Sequence, residues 1–127
     1  MSIVNKLRKD VNGRYTAAHG LMQQSFAFTN IVTSHEYLNS TTIDKNYVNT
    51  IINNINIDFK NAVTALEDLD ARLSYYNTKQ LNTADHGPLL LLDQEYVIWC
   101  DNFMQNISPA FINLVQYISQ FIGVEHA

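Results

Sequence analysis

Nine apolar residues between Val48 and Tyr76 recur at spacings that alternate between four and three: Val48, Ile52, Ile55, Phe59, Ala62, Leu66, Leu69, Leu73 and Tyr76. An α-helix turns once in about 3.6 residues, so this rhythm holds one stripe on one side of one helix. It predicts a long amphipathic helix over roughly Ile43–Asn77. The stretch Ile55-Asn-Ile-Asp-Phe59 also alternates, and Asn53-Asn54 would suit a hairpin turn. The helical period nevertheless continues unbroken through Leu73, which favours the helix.

The residues flanking the stripe say what the helix packs against. Ile51, Val63 and Ala65 share the flanks with Asp58, Asp70 and Arg72. A two-stranded zipper would carry mostly charge there. A wider apolar face implies contact with two or more helices, hence a bundle.

The other elements follow from punctuation. Gly13 and Gly20 interrupt the first helical pattern, which suggests a short segment Ile3–Val11 and a main first helix Arg14–Leu38. Asn39-Ser-Thr-Thr breaks the chain, and Thr41 with Asp44 resembles a capping arrangement. After the long helix, Asn77–Gly87 is a polar loop, and Pro88 suits the first turn of a third helix running to about Asn106. Ser108-Pro109 repeats that start signal for a last helix ending near Gly123. The expectation is an all-α, single-domain antiparallel bundle over residues 1–127, with about four main helices and a short N-terminal helical segment.

Composition limits the chemistry. Charged residues make up 16% of the 127-residue chain, against about a quarter in a typical globular protein. Asn, Gln, Ser and Thr fill the polar positions, leaving much of the surface uncharged, as in interface cores. The net charge of −4 is uneven, because Lys6, Arg8, Lys9 and Arg14 face only Asp10 in the first fourteen residues. That is a weak electrostatic footprint, so no nucleic-acid partner is expected. One cysteine, Cys100, excludes an intramolecular disulfide and fits a reducing, cytoplasmic setting. The charged run Lys6–Asp10 argues against a secretory signal, and polar residues interrupt Ile107–Val124 as a membrane span.

No catalytic or metal pattern emerges. His19, His35, His86 and His126 are scattered and no Glu-x-x-His pair occurs, so neither metal nor cofactor is expected. Cys100 falls on an apolar face beside Tyr96, Trp99 and Phe103, which suits an inert thiol. Asp85-His86-Gly87 reads as turn chemistry. Glu67, Asp68 and Asp70 read as a solvated acidic patch. Asp93 is the exception, because it falls in the middle of the apolar arc of the third helix. A carboxylate there must be paired, hydrogen-bonded or protonated, and candidate partners are a tyrosine, a histidine or Arg14.

Two stretches carry no formal charge at all, Tyr15–His35 and Asn102–Val124. The apolar arc of the last helix spans about 220° where a surface helix needs little more than about 100°. The surplus points to an interface through Ile112, Tyr117, Phe121, Phe28 and Ile31. The functional expectation is a non-enzymatic helical protein that self-associates or binds a protein partner, of the kind that serves as a viral accessory or assembly factor. The competing expectation is a small-molecule binder or enzyme with an interhelical pocket near Asp93.

Overall fold

The 3–4 stripe forms one uninterrupted helix. A computed structural model describes residues 2–24, 35–41 and 43–126, with side chains described except at 35 and 36 and from 121 onward. Its helices are α1 (Ile3–Gln24), a short α2 (His35–Leu38), α3 (Lys45–Asn77), α4 (His86–Asn102) and α5 (Ser108–His126). No strand occurs among the described residues.

All nine stripe residues enter the core of α3. Val48, Ile55, Ala62, Leu66, Leu69 and Leu73 are buried, and Ile52, Phe59 and Tyr76 pack partly buried against them. Asp44 starts the helix. Its backbone is extended, and its carboxylate accepts the Tyr47 N–H at 3.1 Å. The cap is therefore Asp44 itself, and Thr41 lies outside it. At the far end, Thr78 N–H donates to the Tyr75 carbonyl.

The polar loop that follows contains a 3₁₀ turn, Thr83–Asp85, closed by reciprocal bonds. The Asn82 side chain accepts the Ala84 N–H at 2.9 Å, and the Asp85 carboxylate accepts the Asn82 N–H at 2.9 Å. Pro88 then sits in the first turn of α4, where its missing N–H costs nothing.

Two boundaries differ from the sequence reading. Gly13 does not divide the first helix, because α1 runs through it from Ile3 to Gln24. The C-terminal part of the expected Arg14–Leu38 helix falls on residues 25–34, outside the described residues. The second difference is larger. Ser108-Pro109 does not open a separate helix, since α4 and α5 join through a π-helical turn at Phe103–Ile107. Ser108 has helical dihedrals (φ −56°, ψ −44°), and its N–H donates five residues back, to the Phe103 carbonyl.

A mid-helix proline lacks an N–H, and its ring collides with the carbonyl four residues earlier. The wider π turn makes room for that ring without ending the helix. Among the described residues the bundle therefore has three long helices, α1, α3 and the joined α4–α5, and the two helices expected from Pro88 and Ser108-Pro109 are one.

Side-chain contacts fix the directions. Phe59 meets Phe103 and Phe111, Trp99 Nε1–H donates to the Ala62 carbonyl at 2.8 Å, and Tyr47 meets Tyr117. The joined helix thus runs antiparallel to α3. α1 packs chiefly on α4 and also against the C-terminal half of α3, while α2 lies against α5.

Candidate protein-interaction site

α1 is held on the α3–α4 pair by polar contacts spaced along its length. Arg8 Nη1 donates to the Tyr76 carbonyl at 3.3 Å, near the C-terminal end of α3 where carbonyls lack helical partners. Asn12 and Asn77 bond through their carboxamides, and Arg14 Nε donates to Asp93 Oδ1 at 3.3 Å. His19 Nε2 lies 2.7 Å from Asp70 Oδ2. Two of the basic residues near the N-terminus are thus engaged within the bundle. Lys6 and Lys9 are exposed.

Asp93 lies in the arc it shares with Leu89 and Tyr96 because α1 crosses there and brings Arg14 to it. Its side chain is 18% exposed and that of Arg14 is 52% exposed. A second carboxylate, with two side-chain partners, is Asp70, which the sequence placed on a solvated patch. Asp70 Oδ1 accepts the Tyr96 hydroxyl at 2.7 Å, while Oδ2 meets His19, whose ring packs on Tyr15 with centroids 4.2 Å apart. Burial, reinforced by the bond to Asp70, pushes the Tyr96 hydroxyl well above its ordinary range, so it remains a donor. Of the acidic trio only Glu67 and Asp68 are exposed.

This cluster has the components of acid–base chemistry but is occupied with itself. Both carboxylate oxygens of Asp70 have partners, and the grooves described below are lined by none of His19, Asp70 or Tyr96. Cys100 is half-buried, and its thiol is pushed up by burial and by Asp101, with Arg14 opposing. Among the described residues no three His, Cys, Asp or Glu side chains come together to hold a metal ion. No described helix is long and apolar enough to cross a membrane.

The open surface lies on the side of α3 and α4 that α1 leaves uncovered. A groove follows the two helices in three segments. The first, about 350 Å³, is lined by Ala71, Arg72, Tyr75, Pro88 and Leu91 among others. The second, about 470 Å³, lies between Ala65, Leu69, Ile98 and Trp99. The third, about 570 Å³, continues to Asp58, Asn61, Asn106 and Ile107 beside the π turn. An Arg72–Glu95 ion pair spans the groove between the first two, and Asp68 also bonds Arg72. Tyr75, Leu91 and Ile98 stand along it 59%, 54% and 66% exposed.

Of the five residues from which sequence expected an interface, the side chains of two are described. Ile112 is 55% exposed on α5, but Tyr117 turns inward against Tyr47, beside buried Leu114 and Ile118. Phe28, Ile31 and the side chain of Phe121 lie outside the described residues. The groove residues do not read as one surface in the sequence because their rhythm is mixed in polarity. Ala65, Asp68, Arg72 and Tyr75 recur at three and four, as do Leu91, Glu95, Ile98 and Asn102. That second rhythm was the available signal.

Compared with protein-family models, curated proteins and solved structures, the chain matches none of them.

Proposed function

We propose that the protein is a non-enzymatic interaction module that binds another polypeptide through its open α3–α4 face. One observation carries this reading: Tyr75, Leu91 and Ile98 stand exposed along adjoining grooves between two long helices. Apolar side chains exposed on either side of a central ion-pair network favour a protein surface over isolated contact with water. The polar cluster around Asp70 supports the reading from the opposite side, because it ties α1 to the other side of the α3–α4 pair.

Native mass spectrometry of the purified chain tests the proposal, together with an Ile98→Glu variant. The wild-type chain is expected to appear as an oligomer or with a retained polypeptide, and Ile98→Glu to lose that association at unchanged helicity. A bare wild-type monomer after expression in its natural host would overturn it.

A second reading, a small-molecule binder near Asp93, is favoured by a groove of about 340 Å³ between α1 and α4. Arg14, Ala17, Leu21, Val97, Cys100 and Met104 line it, and Asp93 touches it only through Arg14. On this reading Asp93→Asn would change retention of an apolar ligand without loss of the fold.

A further inference from the structure

We infer that the occupant of the α3–α4 grooves is a basic amphipathic helix of another protein. Its apolar side rests on Tyr75, Leu91 and Ile98, and one of its lysines or arginines reaches Asp58. This rests on the interaction reading above and names the chemistry of the partner.

Charge decides the sign of that partner. The ionised side chains lining the grooves are Asp58, Asp68 and Glu95 against Arg72. Arg72 is already taken, because Glu95 and Asp68 of the same chain both accept from it. Lys79, just past the end of α3, is likewise taken by Asp85, and Lys60 lines none of the grooves. No base on the lining is left to receive an incoming acid. Asp58 is the opposite case, since its carboxylate enters no ion pair or hydrogen bond among the described residues. Three acids against one base repel a second acidic surface and attract a cationic one.

The end of the face beside the π turn suits a cation in particular. Around Asp58 there stand three carboxamides, Asn61, Asn102 and Asn106, over Ala62 and Trp99. Asn106 Nδ2 donates to Asn102 Oδ1 at 2.7 Å. Carboxamide oxygens accept hydrogen bonds without adding charge, and an ammonium or guanidinium has donors only. The carboxylate supplies the charge and the asparagines supply further acceptors.

Shape decides that the partner segment is a helix. The adjoining grooves run between two helices from Pro88 to Asn106, about 27 Å at 1.5 Å per residue, or about five helical turns. Leu91 and Ile98 are seven residues apart, about 10 Å, the interval at which a second helix repeats an apolar position. An extended peptide would need a sheet edge to pair with, and no strand occurs among the described residues.

Two synthetic amphipathic peptides, each about five helical turns long, test the inference. Both carry leucine along one helical face, and the polar face is lysine in one and glutamate in the other. Fluorescence anisotropy is expected to show the lysine peptide binding the wild-type chain about tenfold or more tighter than the glutamate peptide. Asp58→Lys is expected to cut that preference about threefold or more. Glu67→Lys makes the same charge change at an exposed site two residues, hence roughly half a turn, from Ala65, and should leave the preference unchanged. Ile98→Asn should weaken the lysine peptide without touching a charge. Circular dichroism of each variant confirms that the fold is retained.

Equal binding of the two peptides overturns the inference, as does failure of the lysine peptide to bind at sub-millimolar concentration. So does an equal loss in Asp58→Lys and Glu67→Lys, which would reflect general attraction to an acidic protein. A wild-type homo-oligomer that Ile98→Glu dissociates also overturns it, because a second copy would then hold the face. The interaction reading survives that last result. It survives the others wherever Ile98→Glu still releases a retained polypeptide in the native mass spectrum, and it fails with a bare monomer.

Discussion

Asp70 carries more of the internal polar structure than any single residue of the stripe suggests. It joins three helices by taking the Tyr96 hydroxyl on one oxygen and His19 on the other. Tyr96 is itself fully buried. Replacing it with Phe keeps the ring and removes the donor, leaving one carboxylate oxygen without its partner. Tyr96→Phe should therefore cost about 1–3 kcal/mol in urea unfolding, and an unchanged midpoint would show that water replaces the hydroxyl. A loss confined to α1, read by hydrogen exchange, would show that the cluster chiefly fastens that helix.

Asp85 gives a pH dependence with a definite sign. Its carboxyl is held below the ordinary range, first by the Asn82 N–H and then by Lys79, which closes an ion pair at 2.9 Å. A carboxyl depressed in the folded state stabilises the fold above its unfolded pKa and loses that contribution as pH falls through the folded value. Asp85→Asn should thus be less stable than wild type at neutral pH, with the gap closing below the ordinary carboxyl value of about 3.9. Urea titrations at neutral and acid pH read this. A gap independent of pH would mean that hydrogen bonding alone, without charge, accounts for the residue.

At the scale of the element, the junction between α4 and α5 separates two accounts of the same dipeptide. If Ser108 capped a separate helix, Ser108→Ala would cost about 1 kcal/mol. In the continuous helix its dihedrals are helical and alanine is the better helix former, so the substitution should be neutral or slightly stabilising, by no more than about 0.5 kcal/mol. Thermal denaturation distinguishes the two signs. The core below this junction is dense, with Trp99 stacked on Phe103 and Phe59 edge-on to both Phe103 and Phe111. Leu66→Ala, one turn of α3 away from Ala62, should cost about 2–5 kcal/mol, as large-to-small changes at fully buried leucines do. Leu66 is 1% exposed.

For the whole molecule, the self-association arm of the proposed function would couple stability to concentration. Anything that binds only the folded state raises the apparent Tm as its concentration rises, and here the binder would be the chain itself. If the chain self-associates through this face, the wild-type Tm should climb with protein concentration, whereas that of Ile98→Glu should not. A concentration-independent Tm for both would count against self-association. Low surface charge suits this arrangement, since a net charge of −4 spread over 127 residues repels a second copy weakly.

The sequence by itself determined whatever depends on local periodicity and local caps. The nine-residue stripe of α3 and the place of Pro88 follow from helix geometry and from which backbone groups need partners, whereas the cap fell on Asp44 and not on the expected Thr41–Asp44 arrangement. The tertiary structure decided whatever depends on which side of a helix meets a neighbour. Asp70 lies one residue beyond the stripe, and only the approach of α1 and α4 turned it from a solvated acid into a junction. Ser108-Pro109 carries a genuine start signal, but continuous packing of α4–α5 along α3 kept the helix intact and moved the strain into a π turn. The second rhythm on α3 and α4 is written in the sequence as plainly as the first. Its exposure was settled only when α1 covered one side of the pair and left the other open.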